Sequence, residues 1–577
     1  QGIPVSPGIA RGKVWVHRTD EEPVPCYQVS SDHIDGELRR LEAALELTRS
    51  QIQELQQCIS KSVGDENASI FDAHLLVVDD RSLIDEVVRT IKRDGLNAES
   101  VFSKVSERYI KTLSEINDPY LRERAVDIHD VCRRIVRNLL GGASRDVSPD
   151  AGGERRILIS HNLTPSDTAQ LNPAMVLGFA TDVGSKTSHT AIMARSLNIP
   201  AVVALHDISQ SVETGENVLL DGYTGLIVVN PSEATVEEYG AIELQKGQVE
   251  LELRSLRETE CKTLDGRHVV LSANIEMPRD VGAVKKSGAE GVGLFRTEFL
   301  YLNSAELPSE EIQYEAYKSV AMQLAPDPVI IRTLDLGGDK IMSSLNLPQE
   351  MNPFLGWRAI RFCLERPEVF KTQIRAVLRA SAHGNVRIMY PMISGVDEVK
   401  KANHLLEECR GELREAGTSF DEKMQVGAMI EIPSAALSAD FIAREVDFLS
   451  IGTNDLIQYT IAVDRLNERI AHLYEPTHPA VLRLIRMVVD AAHARGIWVG
   501  VCGEMAGEVT LTPLLLGLGV DELSTGAALV PRVKAAVQQL STHECEKLVA
   551  ASTEMNSAAA IHAACEAVAR AYYPELL

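Results

Sequence analysis

The chain predicts a multidomain α/β protein: an α/β domain interrupted by a helical bundle, then a helical linker, then a C-terminal (β/α)8 TIM barrel. Three observations carry this. At 577 residues the chain exceeds one ordinary domain. Its pattern switches from extended to helical after about residue 22 and back near residue 155. Beyond Thr263, strand-like and helical runs alternate to the end.

Residues 1–22 read as extended, most clearly over Gly12-Lys13-Val14-Trp15-Val16-His17. Ile34, Leu38, Leu41, Leu45, Thr48, Ile52 and Leu55 then recur at helical spacing, and amphipathic stretches continue through about residue 140, including Ala68 to Val78 and Ser82 to Lys92. Strand signals return at Ile157-Leu158-Ile159, Met175-Val176-Leu177 and Ala201-Val202-Val203, closing with Val218 to Val229 around a Gly222-Tyr223-Thr224-Gly225 turn. The first extended segment is expected to join this later unit, so that residues 1–22 and 145–231 form one α/β domain and residues 23–144 a helical insertion. Residues 232–262 carry Glu, Leu, Gln and Arg without proline, which predicts a long linking helix.

Eight strand candidates follow within residues 263–577: 269–275, 291–296, 328–335, 386–391, 425–431, 446–452, 498–503 and 522–525. Eight strand-helix units of this total length predict a barrel whose active site lies at the C-terminal strand ends.

Composition excludes several classes. With 45% hydrophobic and 24% charged residues and no apolar run near the ~20 residues of a membrane span, no membrane insertion is expected. The opening Gln1-Gly2-Ile3-Pro4-Val5-Ser6-Pro7-Gly8 lacks signal-peptide character, so a cytoplasmic location is expected. Nine cysteines without CxxC pairs argue against a disulfide framework or zinc site. A net charge of −24 disfavours nucleic acid and favours a basic partner surface.

The segment Val183-Gly184-Ser185-Lys186-Thr187-Ser188-His189-Thr190-Ala191-Ile192-Met193-Ala194-Arg195 places a histidine where a polar loop enters an apolar helix. Free N–H groups and the positive dipole end at a helix start stabilise phosphate, and imidazole is a competent nucleophile near neutral pH. Thr187 and Ser188 are capping residues, Gly184 permits positive φ, and Arg195 brings charge for an anion.

The barrel-end rule selects a second set. Arg296 ends the second strand, Arg332 and Asp335 lie in the third, Glu431 ends the fifth, Asn454 and Asp455 follow the sixth, and Cys502 and Glu504 sit at the seventh. Glu431 and Asp455 are hard oxygen ligands suited to Mg2+. Arg296, Arg332, Lys340, Arg358 and Arg465 supply positive charge for a small anion carrying phosphate and carboxylate. Together these describe a phosphoryl-transfer site, with Cys502 a candidate acid toward a carbanion or enolate.

Across its whole length the chain resembles the Enzyme I family of bacterial sugar phosphotransferase systems, the phosphoenolpyruvate-protein phosphotransferases. The resemblance rests on Ser6-Pro7-Gly8-Ile9-Ala10, Leu163-Thr164-Pro165-Ser166-Asp167-Thr168, Thr187-Ser188-His189-Thr190 through Arg195, and Gly291-Val292-Gly293-Leu294-Phe295-Arg296-Thr297-Glu298. It continues through Asn352-Pro353-Phe354-Leu355-Gly356-Trp357-Arg358, Ile451-Gly452-Thr453-Asn454-Asp455-Leu456 and Cys502-Gly503-Glu504.

The resemblance implies that phosphoenolpyruvate binds at the barrel mouth with Mg2+ on Glu431 and Asp455, and that His189 attacks phosphorus through Nε2. Thr168 and Arg195 would support the phosphohistidine; Arg296, Arg332, Asn454 and Arg465 would hold substrate with Arg358 helping; Cys502 would protonate the methylene carbon. The phosphoryl group would pass to the phosphocarrier protein HPr, docked on the helical insertion, where Asp79, Asp80, Asp85 and Glu86 suit a basic partner patch. A homodimer through the barrel and a swivel about residues 230–262 are further expectations.

The chain departs from the family pattern in three places. Ser185 and Lys186 stand where relatives carry Gly-Gly-Arg or a similar glycine pair, and Ile432 and Ile457 replace threonines. A dikinase or phosphoenolpyruvate-synthase-like enzyme would need a nucleotide-binding domain, which the glycine-poor helical insertion does not resemble. A non-catalytic phosphoenolpyruvate-sensing regulator would not need the full catalytic set.

Overall fold

The computed structural model describes residues 1–17, 24–62, 70–114, 119–141, 154–163, 175–184, 189–196, 199–302, 307–337, 350, 352–465, 467 and 469–577. The chain divides into two compact units, Gln1–Lys246 and Gly247–Leu577.

In the first unit, β1 (Ile3–Ser6), β2 (Ile9–His17), β3 (Arg156–Ser160), β4 (Val176–Thr181), β5 (Ala201–Val203), β6 (Asn217–Asp221) and β7 (Leu226–Val229) form one sheet in the order β1-β5-β4-β3-β2-β6-β7. The strands β2, β3, β4 and β5 are mutually parallel, and β1, β6 and β7 add antiparallel edges. Strand alternation builds a core on each face. Val14, Val16, Ile157, Ile159, Ala180, Val202 and Val218 cluster on one side, and Leu158, Phe179, Ala201 and Val203 on the other. Onto the second side packs the helix His189–Ser196, through Ala191 and Ala194.

The chain leaves this sheet after His17 and returns at Arg156, so β2 and β3 are sheet neighbours separated by the helical region. There the helices Ile34–Ser62, Ile70–Val78, Arg81–Asp94, Ala98–Ser114 and Pro119–Leu139 enclose a core that includes Leu41, Leu45, Ile52, Phe71, Val87, Phe102 and Ile135. Helix Arg81–Asp94 shows why the sequence folds locally as it does. Asp80 accepts from the N–H groups of Ser82 (2.8 Å) and Leu83 (3.2 Å), Leu83, Val87 and Ile91 bury one face, and Gly95 closes the end in the left-handed region at φ 58°.

The expected linking helix runs Glu233–Ser255. Its later part is more than a solvated spacer, because Val249 and Leu253, with Leu256 just beyond, pack on the second unit's core. Buried Lys534 donates to the carbonyls of Arg257, Thr259 and Gly288, each at 3.0 Å, which ties the chain following the helix to that unit.

The second unit is a closed parallel barrel of β8 (Val270–Ile275), β9 (Val292–Phe295), β10 (Val329–Arg332), β11 (Val386–Tyr390), β12 (Val426–Ile430), β13 (Phe448–Ile451), β14 (Trp498–Val501) and β15 (Glu522–Gly526). Leu294, Ile330, Met389, Met429 and Phe448 fill its interior, and the Phe448 ring stacks on Trp498 at 4.6 Å. One expectation needs correction. The third barrel strand ends at Arg332 rather than reaching residue 335, so Asp335 lies beyond the strand. The Leu334 N–H donates to Gln373 Oε1 (2.9 Å), a side chain in place of a neighbouring strand.

Candidate active site at the barrel mouth

The sequence-selected residues of the second unit collect just beyond the C-terminal strand ends. Arg296 follows β9, Glu431 follows β12, Cys502 follows β14, and Asn454 and Asp455 open the helix Thr453–Ile461 after β13. Asn274, Arg296, Asn454, Cys502, Glu504 and Thr525 are among the residues lining a cavity of about 320 Å³.

Burial and charge set the character of each group. Arg332 donates to Glu298 Oε1 (2.6 Å) and pairs with Asp335 Oδ2 (3.0 Å), and Asp335 Oδ1 also accepts from Arg358 Nη2 (2.6 Å). Burial alone would raise the Asp335 carboxyl, but Arg332 and Arg358 together hold it below its ordinary range. The two arginines are thus fixed as cations by a carboxylate between them. Arg358 also lies over the Phe354 ring, 5.7 Å from its centre.

Glu431 and Asp455 behave in the opposite sense. Burial raises Glu431, and the charges of Asp455 and Asp335 raise it further. Burial and Asp335 likewise raise Asp455. Two carboxylates pushed toward protonation by burial and by neighbouring negative charge form a site that a divalent cation would relieve. Among the described residues no group of three His, Cys, Asp or Glu side chains forms a metal cage. A hydrated Mg2+ requires fewer, because it keeps waters and takes one or two carboxylates plus substrate oxygens. The donor set fits that ion.

Close backbone approach shapes this pair. A Cβ on Gly452 would stand 2.8 Å from Glu431 Oε2, and one on Gly503 would stand 1.9 Å from Thr453 Oγ1. A side chain at either position would have to displace a neighbour. Glu431 Oε1 accepts from the Met392 N–H at 2.5 Å, which aims the carboxylate.

Cys502 is buried with its Sγ accepting from Ser450 Oγ (3.3 Å). Burial pushes the thiol up to about 11, with Ser450 opposing and Glu431 assisting. The thiol is therefore neutral at ordinary pH. Asn274 Nδ2 donates to the Cys502 carbonyl (3.0 Å). Asn454 Nδ2 and Arg465 Nη1 both reach Glu504 Oε1, at 3.0 and 3.1 Å. Arg296 pairs with Glu276.

In the first unit, His189 is the first residue of its helix, and Thr190 Oγ1 donates to the Leu163 carbonyl (2.9 Å), tying the helix start to the segment after β3. Arg195 is exposed and donates from Nη1 to the Val5 carbonyl (3.2 Å). Thr168, Ser185, Lys186 and, in the barrel, Lys340 lie outside the described residues. Of the acidic residues assigned to partner docking, Asp79 pairs with Arg49, Glu86 with Arg108, and Asp80 caps its own helix.

The sequence reading missed Asn274, Glu276 and Ser450, and it gave Glu298 no role of its own. Asn274 and Ser450 lie within strands and Glu276 and Glu298 just beyond them, and alternation alone does not tell an inward polar residue from an outward one. Asp182, buried two residues before Gly184, was also missed; it accepts from the Ser209 N–H (2.9 Å) and contacts His161 Nδ1 (3.0 Å).

Fold and site together define a phosphoenolpyruvate-utilising enzyme. Family models for the N-terminal part, the mobile domain and the phosphoenolpyruvate-binding domain of such enzymes match residues 1–124, 152–225 and 250–542. The chain belongs to the phosphoenolpyruvate-protein phosphotransferase family. It is 46% identical to the Priestia megaterium phosphoenolpyruvate-protein phosphotransferase over 95% of each chain, and 44% identical to the Haemophilus influenzae one over 97% of each. A solution structure of Enzyme I is 42% identical, covering 42% of this chain and 97% of its own, with a TM-score of 0.36.

Proposed function

We propose that this protein transfers the phosphoryl group of phosphoenolpyruvate to Nε2 of His189 and then to a histidine of HPr, releasing pyruvate. The observation that supports the reading is the barrel mouth: arginines fixed by Asp335, a carboxylate pair and a neutral buried thiol gather just beyond the C-terminal strand ends, and Arg296, Asn454 and Cys502 line a cavity there. Arg296, Arg332, Asn454 and Arg465, with Arg358 and Lys340, hold the phosphate and carboxylate of the substrate. Glu431 and Asp455 hold Mg2+, which when bound neutralises charge on the transferring group.

His189 attacks phosphorus, the bond to the enol oxygen breaks, and the electron pair leaves on enolpyruvate. Cys502 Sγ–H gives its proton to the methylene carbon, and the thiolate regains one from solvent. Thr168 and Arg195 support the phosphohistidine. His189 must visit both the barrel mouth and HPr, so a swivel about the linkers near residues 230–262 is expected during turnover. We assign HPr docking to the helical insertion, homodimer formation to the barrel, and a cytoplasmic location. Among the described residues no helix is long and apolar enough to cross a membrane.

Incubation with labelled phosphoenolpyruvate and Mg2+ tests the reading, with and without HPr. Label is expected on His189 and, when present, on HPr, and His189→Ala abolishes both. Undiminished labelling of that variant refutes the assignment, and labelling from ATP without phosphoenolpyruvate would point to a dikinase.

A further inference from the structure

Every arginine described at the barrel mouth is matched with a carboxylate, and the matches fall into two kinds. Glu298 and Asp335, which hold Arg332 and Arg358, have side chains only 15% and 3% exposed. Glu504, which holds Arg465, is 79% exposed, and Glu276, which holds Arg296, is 56% exposed. The buried carboxylates are built into the wall, and removing them would strand buried cations. The exposed ones have water as an alternative partner, and such exposed pairs contribute little stability.

Glu504 occupies a particular place. Its own N–H donates to Asn454 Oδ1 (2.9 Å), which orients that amide so that Nδ2 meets Glu504 Oε1 (3.0 Å). Arg465 Nη1 reaches the same Oε1 at 3.1 Å. Two donors thus converge on a single oxygen of a flexible carboxylate, beside the cavity that Asn454, Cys502 and Arg296 also line.

We propose that Glu504 is a stand-in anion: its carboxylate occupies the Asn454–Arg465 donor pair in the free enzyme and is displaced when an anionic group of the substrate takes those donors. This rests on the phosphoenolpyruvate reading of the site. Glu504 is then a specificity-determining residue, because it keeps the two donors aimed while the site is empty and makes a weakly binding monoanion compete against a tethered carboxylate. A multiply charged ligand outcompetes it by engaging Arg296 and Arg332 at the same time.

The test is equilibrium binding of phosphoenolpyruvate with Mg2+ to the full-length His189→Ala protein, with and without Glu504→Gln, followed by calorimetry. Removing the stand-in charge is expected to tighten phosphoenolpyruvate binding by up to about fivefold, the scale of one exposed ion pair. Inorganic phosphate is expected to gain at least as much, since it has fewer other contacts. In the otherwise wild-type protein, KM for phosphoenolpyruvate should fall by more than kcat changes. Unchanged or weaker binding in Glu504→Gln overturns the proposal, the second result marking Glu504 as a support for Arg465. Glu504→Asp separates charge from reach, and wild-type affinity in that variant would also count against displacement. Failure of the wild-type protein to accept label from phosphoenolpyruvate sinks the functional reading instead, whatever Glu504 does.

Discussion

Gly452→Ala isolates the geometry of the proposed metal pair. The backbone there lies at φ −82° and ψ 80°, so alanine adds no conformational strain. Its Cβ would stand 2.8 Å from Glu431 Oε2, 3.0 Å from Glu431 Cβ and 3.2 Å from Met429 Sδ. To restore ordinary contact the carboxylate must retreat by roughly half an ångström, and the pressure on its own Cβ prevents rotation from absorbing the shift. Overpacking of this kind costs about 1–3 kcal/mol of stability, which leaves a barrel of this size folded. Its catalytic cost is larger in proportion, since a misplacement near 1 Å is worth about 100-fold in rate.

The assay is the initial rate of His189 labelling from phosphoenolpyruvate as Mg2+ is varied. A fall of roughly 10- to 100-fold at saturating substrate is expected, with half-maximal activity moved to higher Mg2+. Gly282→Ala is the control, because a Cβ there meets nothing within 4 Å. A folded Gly452→Ala protein with wild-type rate and metal dependence would refute the assignment of Glu431 as a positioned ligand.

Three other outcomes follow from the same structure. Cys502→Ala should slow pyruvate formation by about 10²- to 10⁴-fold as measured by coupled pyruvate assay, and because burial pushes the wild-type thiol up to about 11, no activity loss from thiol ionisation should appear below about pH 10. Asp335→Ala removes the anion between Arg332 and Arg358 and should cost about 3–5 kcal/mol in denaturant unfolding of the barrel; a loss under about 1 kcal/mol would show that solvent replaces it. Asp265 is held down to about 2 by the Thr263 hydroxyl, then by the Thr542 N–H, so its stabilising contribution is present above the unfolded value near 3.9 and lost as pH falls toward 2. The melting difference between wild type and Asp265→Asn should therefore hold from pH 7 to 5 and shrink between pH 4 and 2, and a pH-independent difference would contradict the linkage.

What the sequence disclosed follows from period and position. Barrel strands such as β12 and β13 are near-continuous apolar runs ending in Glu431 or in Gly452-Thr453-Asn454-Asp455, so the strand and the candidate site residue announce each other. The third strand reads too long in the sequence because Thr333 and Leu334 continue the apolar and β-branched run past Arg332, whereas in the fold the Leu334 N–H turns to the Gln373 side chain. The opposed shifts of Asp335 and Glu431 were likewise invisible, since one depends on the two arginines that flank Asp335 and the other on burial and on the carboxylates near Glu431. Nor could the sequence show that Asp79 and Glu86 pair with Arg49 and Arg108 and that Asp80 caps a helix, since those partners are set by the packing of the bundle.

The passage of the chain from β2 through the helices to β3 has a kinetic side. Parallel neighbours always need a crossover, and here the entire helical bundle serves as that crossover. The pairing of Val14 with Ile157 therefore joins residues separated by the whole bundle, and it lies inside the sheet rather than at its edge. Loop-closure entropy for that contact falls only after the bundle has compacted and shortened the path between its ends. Local helices are expected to form before distant strand pairings, so the sheet that carries the histidine helix is expected to assemble behind the bundle.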